Sequence, residues 1–322
     1  WGAGYTYSAT DALHPQSANA DRSIGFDGAS LSWYLSPDTT VTGALALQDA
    51  YVVSRFGDGG LAEIEPWERF RYAGYATSYL GNLQLDAALV YEPETILRPG
   101  VTSSITVGSF LLSAEGAVEL RNQLLYPGEQ FSAEAAFAAL EEGRRIPGIE
   151  EADAYEPYPI LSAAIERSWY PGETTVTLVS EYLYNSTGYD ESEFARLLEL
   201  VNLAEGSLSG ATTGGGEQPF AGFGSLLEES APFDGAGYFG LLRKHYLFET
   251  VGVSSNQRWR SEHSILLSLQ DWSALVTHGV TLTTLEQVDL GIDVSWVLGD
   301  GSQEFGLLPY NAVTALGGTV HF

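Results

Sequence analysis

The chain carries five imidazoles, at His14, His245, His263, His278 and His321, and no cysteine. A hydrolytic nucleophile needs a serine and a histidine within hydrogen-bond reach. His263 and Ser264 adjoin in sequence, but neighbours on a strand point to opposite faces, so they cannot form a dyad. No HExxH, GxSxG or phosphate-loop pattern occurs, and the glycine triplet at 214–216 lacks the strand and helix of a dinucleotide site. Without cysteine, thiol catalysis and cysteine-held metals are excluded. These residues predict neither an enzyme nor a bound cofactor. What remains is charge held on a wall. Arg69, Arg71, Asp86, Glu119, Arg121, Glu166, Glu181, His245, Glu249, Arg260, Glu262, Asp289 and Asp293 all stand in segments of alternating character. Parity assigns each to the face opposite the apolar one. Unpaired buried charges are costly, so these groups must be hydrated or paired. Both signs on one wall predict a wet, polar constriction, where fields rather than reactions act on solutes.

The elements that must position these side chains are strands. Leu83, Leu85, Ala87, Leu89 and Tyr91 alternate with Gln84, Asp86, Ala88 and Val90. Val176, Leu178, Ser180, Tyr182 and Tyr184 alternate with Thr177, Val179, Glu181 and Leu183. Val288, Leu290, Ile292, Val294 and Trp296 alternate with Asp289, Gly291, Asp293 and Ser295. About fourteen such segments are predicted by period-two alternation. They fall at 2–9, 23–35, 41–55, 68–79, 83–92, 102–112, 115–124, 158–169, 174–186, 243–253, 258–269, 274–285, 288–297 and 312–322. Tight turns are expected at 36–40, 80–82, 113–114, 170–173, 254–257 and 286–287, several with Pro-Gly, Gly-Asn or Ser-Pro-Asp chemistry. Other, mostly longer connections fall between them, so the two kinds sort to opposite rims.

The two longest connections, about 125–156 and 186–239, each predict a short helix. Ser132 is a suitable N-cap and Gly143 a suitable stop around 133–142. Asp190 and Glu193 have capping-box spacing, followed by an apolar stripe of Phe194, Leu197, Leu198 and Val201. That stripe is expected to pack on the rest of the chain. The formal charge is −28, from 42 acidic and 14 basic residues, which makes nucleic acid a poor partner. More than half of the acids fall in the predicted outer connections. Oxygen-rich loops suit loosely held Ca²⁺ or Mg²⁺, but no EF-hand spacing occurs and no specific metal site is expected. No stretch approaches the length of a transmembrane helix, while alternating strands would hide a membrane barrel from hydropathy.

The segment Leu316-Gly-Gly-Thr-Val-His-Phe322 alternates to a terminal aromatic. It resembles the closing strand of bacterial outer-membrane β-barrels, although Gly318 and Thr314 stand on its outward face. Together with the turn parity, nearly the whole chain resembles porin-like proteins. The resemblance implies an all-β, transmembrane, antiparallel up-and-down β-barrel, with short periplasmic turns and long outer loops. It implies one domain over 1–322, the bacterial outer membrane as location, and Phe322 at barrel closure. It further implies a lipid and lipopolysaccharide setting, with a homo-oligomer or an envelope protein complex as partner classes. Passive diffusion of small hydrophilic solutes or ions is the function implied, and the excess of carboxylates on the inner wall would favour cations. A non-conducting anchor or scaffold, whose acidic outer loops bind another envelope component, is the alternative.

Overall fold

The computed structural model describes residues 28–47, 70–92, 96–121, 125–141, 147–151, 156–199, 242–255, 258–285, 288–307 and 311–320. Six long strands come first: β1 (Gly28–Ser36), β2 (Thr39–Leu47), β3 (Phe70–Leu80), β4 (Leu83–Glu92), β5 (Ile96–Val107) and β6 (Phe110–Arg121). A short ribbon of β7 (Leu125–Pro127) and β8 (Ile149–Glu151) follows, with helix α1 (Ala133–Glu141) between its strands. The long strands resume with β9 (Glu156–Trp169) and β10 (Thr174–Asn185). Helix α2 (residues 191–199) precedes β11 (His245–Ser255). β12 (Trp259–Ser268), β13 (Ala274–Leu285), β14 (Val288–Leu298) and β15 (Ala312–Val320) complete the series. The thirteen long strands are ordered as in the chain, an all-β antiparallel up-and-down meander. The strand predicted at 2–9, Arg69 and Phe322 lie outside the described residues.

Two compact units divide the chain: residues 1–122 with 154–167, and residues 123–153 with 168–322. In the first unit, tight turns join β1 to β2, β3 to β4 and β5 to β6. Gly81 and Gly108 take φ of 68° and 63° there, a region side chains with Cβ avoid. The turn expected at 113–114 is therefore at 108–109, and Ser113 and Ala114 lie within β6, opposite Ser104 and Ser103. β5 also begins earlier than predicted. Arg98-Pro99-Gly100 has the composition of a turn but pairs with Val90, Leu89 and Ala88 of β4. On its other side the β5–β6 ladder is interrupted at Arg98 and Pro99, where proline has no N–H to donate.

The two faces of this unit are inverted relative to a soluble sheet. Leu85, Leu89, Val101, Leu161 and Ile165 are exposed, whereas Arg98, Glu115 and Glu119 on the other face are buried. The second unit repeats the inversion. Leu282, Leu290, Ile292 and Trp296 are exposed, and Glu181, Thr250 and Ser268 are buried.

Helix starts follow the sequence. Ser132 Oγ accepts from the Ala135 amide at 3.4 Å. At α2, Asp190 Oδ1 accepts from the amides of Ser192 and Glu193 at 2.8 and 2.9 Å, while Glu193 Oε2 accepts from the Asp190 amide at 2.7 Å. Both halves of the capping box are thus made. The apolar stripe of α2 packs Phe194 and Leu197 with Tyr189, against Leu198, Leu242 and Leu307.

Candidate functional site

The polar face of the first unit is built from hydroxyls and paired charges. Asp86 stands opposite Thr77 of β3 and Thr102 of β5, and accepts from Gln84 Nε2 at 2.8 Å. Ser32 and Thr42 hydroxyls bond at 2.8 Å. Glu119, fully buried, accepts from Arg98 Nε at 3.0 Å and Nη2 at 2.5 Å. Glu166 lies opposite Leu111 in register with this face. Arg71 opposite Ala46, and Arg121 opposite Glu156, occupy polar-face register positions. Arg98 and Glu115 belong to the same face; Arg98 was hidden because the Pro-Gly after it imitates a turn, whereas Glu115 shares the parity of Glu119 and was overlooked at the strand's predicted start.

In the second unit, Glu181 is in register with Phe248 on the polar face. Asp289 accepts from Thr283 Oγ1 at 2.7 Å. Further along, Arg260, Glu262, Ser264, Thr277, Gly279, Thr281 and Asp293 line a groove of about 230 Å³. The Arg260 guanidinium donates to Glu262 within one strand. Across four strands the register runs Gly252, Glu262, Gly279, Asp293, so each carboxylate is flanked by glycine. A Cβ at Gly279 would stand 2.5 Å from Asp293 Oδ1. The missing side chain is what lets this carboxyl lie across β13.

His245 and Glu249 depart from expectation. Register puts them opposite Tyr184 and Ser180, on the apolar face. Ser180 Oγ donates to Glu249 at 2.6 Å, and Tyr182 Oη lies 2.7 Å from His245 Nδ1. The reason is that β11 has large apolar groups on both faces. Tyr246 and Phe248 turn to the polar face and are buried, leaving Leu247, Val251 and Val253 beside Glu249. Tyr246 is drawn inward by a partner 58 positions away: its hydroxyl donates to Glu304 at 2.7 Å. On the same apolar face His263 and His278 stack with ring centres 4.0 Å apart.

Glu304 belongs to a buried knot where β10, β11, β13 and the connection after β14 meet α2. Its carboxylate also accepts from the Leu242 amide at 2.5 Å. Asp271 accepts from the Glu304 amide at 2.9 Å and from Ser273 Oγ at 2.7 Å. Arg243, 1% exposed, reaches Asp271 at 3.4 Å and Glu191 at 2.8 Å and lies 4.1 Å over the Phe194 ring. Gly188 fits closely against the Arg243 carbonyl, where no Cβ could stand. Burial pushes the Glu304 carboxyl up to about 7, against the hydrogen bonds from Tyr246 and Leu242. Asp271 goes the other way: burial opposes ionisation, but donors from Glu304 and Ser273 hold it below the usual carboxylate range. No sequence spacing announces this knot, since its members come from three separate connections and from β11.

No protein-family model and no curated protein sequence matches the chain. Among solved structures, it is similar to the outer-membrane expressed OmpT of Vibrio cholerae, at 5% identity and TM-score 0.38, over 89% of this chain and 78% of that one. Pseudomonas aeruginosa OccK5 (OpdH) aligns at 9% identity and TM-score 0.41, covering 92% and 71%. OccK8 (OprE) of the same organism aligns at 8% identity and TM-score 0.41, covering 84% and 66%.

Proposed function

We propose that the chain is a porin-like β-barrel of the bacterial outer membrane, passing small hydrophilic solutes or ions by passive diffusion and favouring cations. The carrying observation is the inversion of faces in both units. A soluble antiparallel sheet buries its apolar face and wets its polar one. Here large aliphatic and aromatic side chains are exposed, and Arg98, Glu115, Glu119 and Glu181 are buried on the opposite face. Hydrocarbon outside and water inside is the environment that rewards this pattern. Closure of the meander, with its first and last strands paired, would leave no open edge. The inner face would then be a hydrated wall whose carboxylates outnumber its arginines, and that excess favours cations.

Planar-bilayer recording of the folded chain tests the reading. Discrete conductance steps are expected, with a reversal potential in a KCl gradient of the sign set by K⁺ permeation. A silent bilayer at every voltage sinks the channel. A reversal potential of the opposite sign sinks the cation preference.

A further inference from the structure

We propose that the groove on the polar face of the second unit binds a small hydroxylated ammonium solute of the amino-sugar class. This inference rests on the polar face being a solvated inner wall. Three features of the groove act together. The first is a carboxylate without a partner. Asp293 makes no hydrogen bond or ion pair among the described residues, whereas Glu262 is neutralised by Arg260. The groove therefore presents one net negative charge, suited to one ammonium group. The second is aim: with no side chain at Gly279, the Asp293 carboxyl lies over β13 rather than beside it. The third is the surround. Ser264 and Thr281 offer hydroxyls free of partners among the described residues, and Thr277 shares its own only weakly with Ser295 at 3.4 Å.

Hydroxyls that both donate and accept match a ring of solute hydroxyls better than they match a bare ion. A volume of about 230 Å³ leaves space for one six-membered ring rather than for a chain of them. Apolar lining is sparse, so an aromatic or aliphatic amine would gain little there. The combination selects for charge and hydroxylation in one small molecule.

Titration calorimetry of the folded full-length chain in detergent, with glucosamine, glucose and tetramethylammonium as probes, tests this without requiring conduction. Glucosamine is expected to bind at least about tenfold more tightly than either other probe, the effect of one charge-assisted hydrogen bond. Asp293→Asn is expected to abolish the advantage over glucose, and Gly279→Ala to reduce it by displacing the carboxyl. Asp86→Asn, in the other unit, should leave it unchanged; heat-modifiable gel migration verifies that each variant is folded. Equal affinity for glucosamine and glucose overturns the proposal, as does equal affinity for glucosamine and tetramethylammonium. An advantage that survives Asp293→Asn overturns the assignment to this groove. Binding by a chain that never conducts would leave this site standing while removing the channel, and conduction without binding would do the reverse.

Discussion

The Arg98–Glu119 pair shows how single residues set the character of the inner face. Both side chains are withdrawn from solvent, and two hydrogen bonds join them. Removing one partner strips the other of two charge-assisted hydrogen bonds in a buried site, at a cost of about 3–5 kcal/mol. Arg98→Met should therefore lower the urea midpoint of the folded chain sharply. The double change Arg98→Met/Glu119→Leu should recover most of the loss, because neither charge then remains. A double variant as unstable as the single one would refute the pairing argument. Residue-scale legibility was uneven for physical reasons. Asp86, Glu119, Glu181, Asp289 and Asp293 follow their strands' alternation. Arg98 was hidden by a proline that the interrupted ladder tolerates. His245 and Glu249 were inverted because Tyr246 answers to Glu304, a contact no local pattern encodes.

At the scale of elements, the caps of α1 and α2 were legible because capping is local chemistry, while the knot that fixes α2 was not. That knot makes the local stability of α2 depend on pH. Glu304 is raised to about 7, above the ordinary glutamate value, so the folded knot holds a proton that the opened one releases. Its contribution is full below the ordinary value and is lost as pH rises through about 7. Asp271 and Asp190 are depressed, so their contributions fade as pH falls through the acidic carboxylate range. Protection should therefore peak in mild acid. Amide hydrogen exchange of residues 186–199 is expected to quicken, after correction for intrinsic rates, between pH 5 and 8. Glu304→Gln, neutral throughout, should flatten that rise while leaving the acid limb. A variant with the parent's alkaline rise would exclude Glu304 as its origin. Gly188→Ala should loosen the same segment at every pH, since its new Cβ meets the Arg243 carbonyl.

At the scale of the whole molecule, the decisive question is which solvent the apolar face meets. Alternation and turn parity are legible in the sequence because period two and turn chemistry are properties of short windows. The turn at 108–109 was displaced by five residues, yet strand parity beyond it survived, since Glu119 still falls on the polar face. Leu161 tests the solvent directly. It lies within β9 on the exposed apolar face, 49% accessible, beside the buried Ser162 on the opposite face. If the face meets hydrocarbon, Leu161→Arg should cost roughly 2–4 kcal/mol near the bilayer midplane and less toward a rim. If it meets water, an exposed leucine replaced by arginine should be nearly neutral and should improve solubility. Folding into short-chain phosphatidylcholine vesicles, followed by urea titration, separates the two. The expected result is a lowered midpoint for Leu161→Arg and an almost unchanged one for Leu161→Val. The same ordering is expected for Ile292→Arg in the second unit, where the face carries the same class of exposed side chain. A Leu161→Arg chain that stays folded and soluble without lipid or detergent would remove the membrane reading for the first unit, and with it the inner wall on which the channel depends.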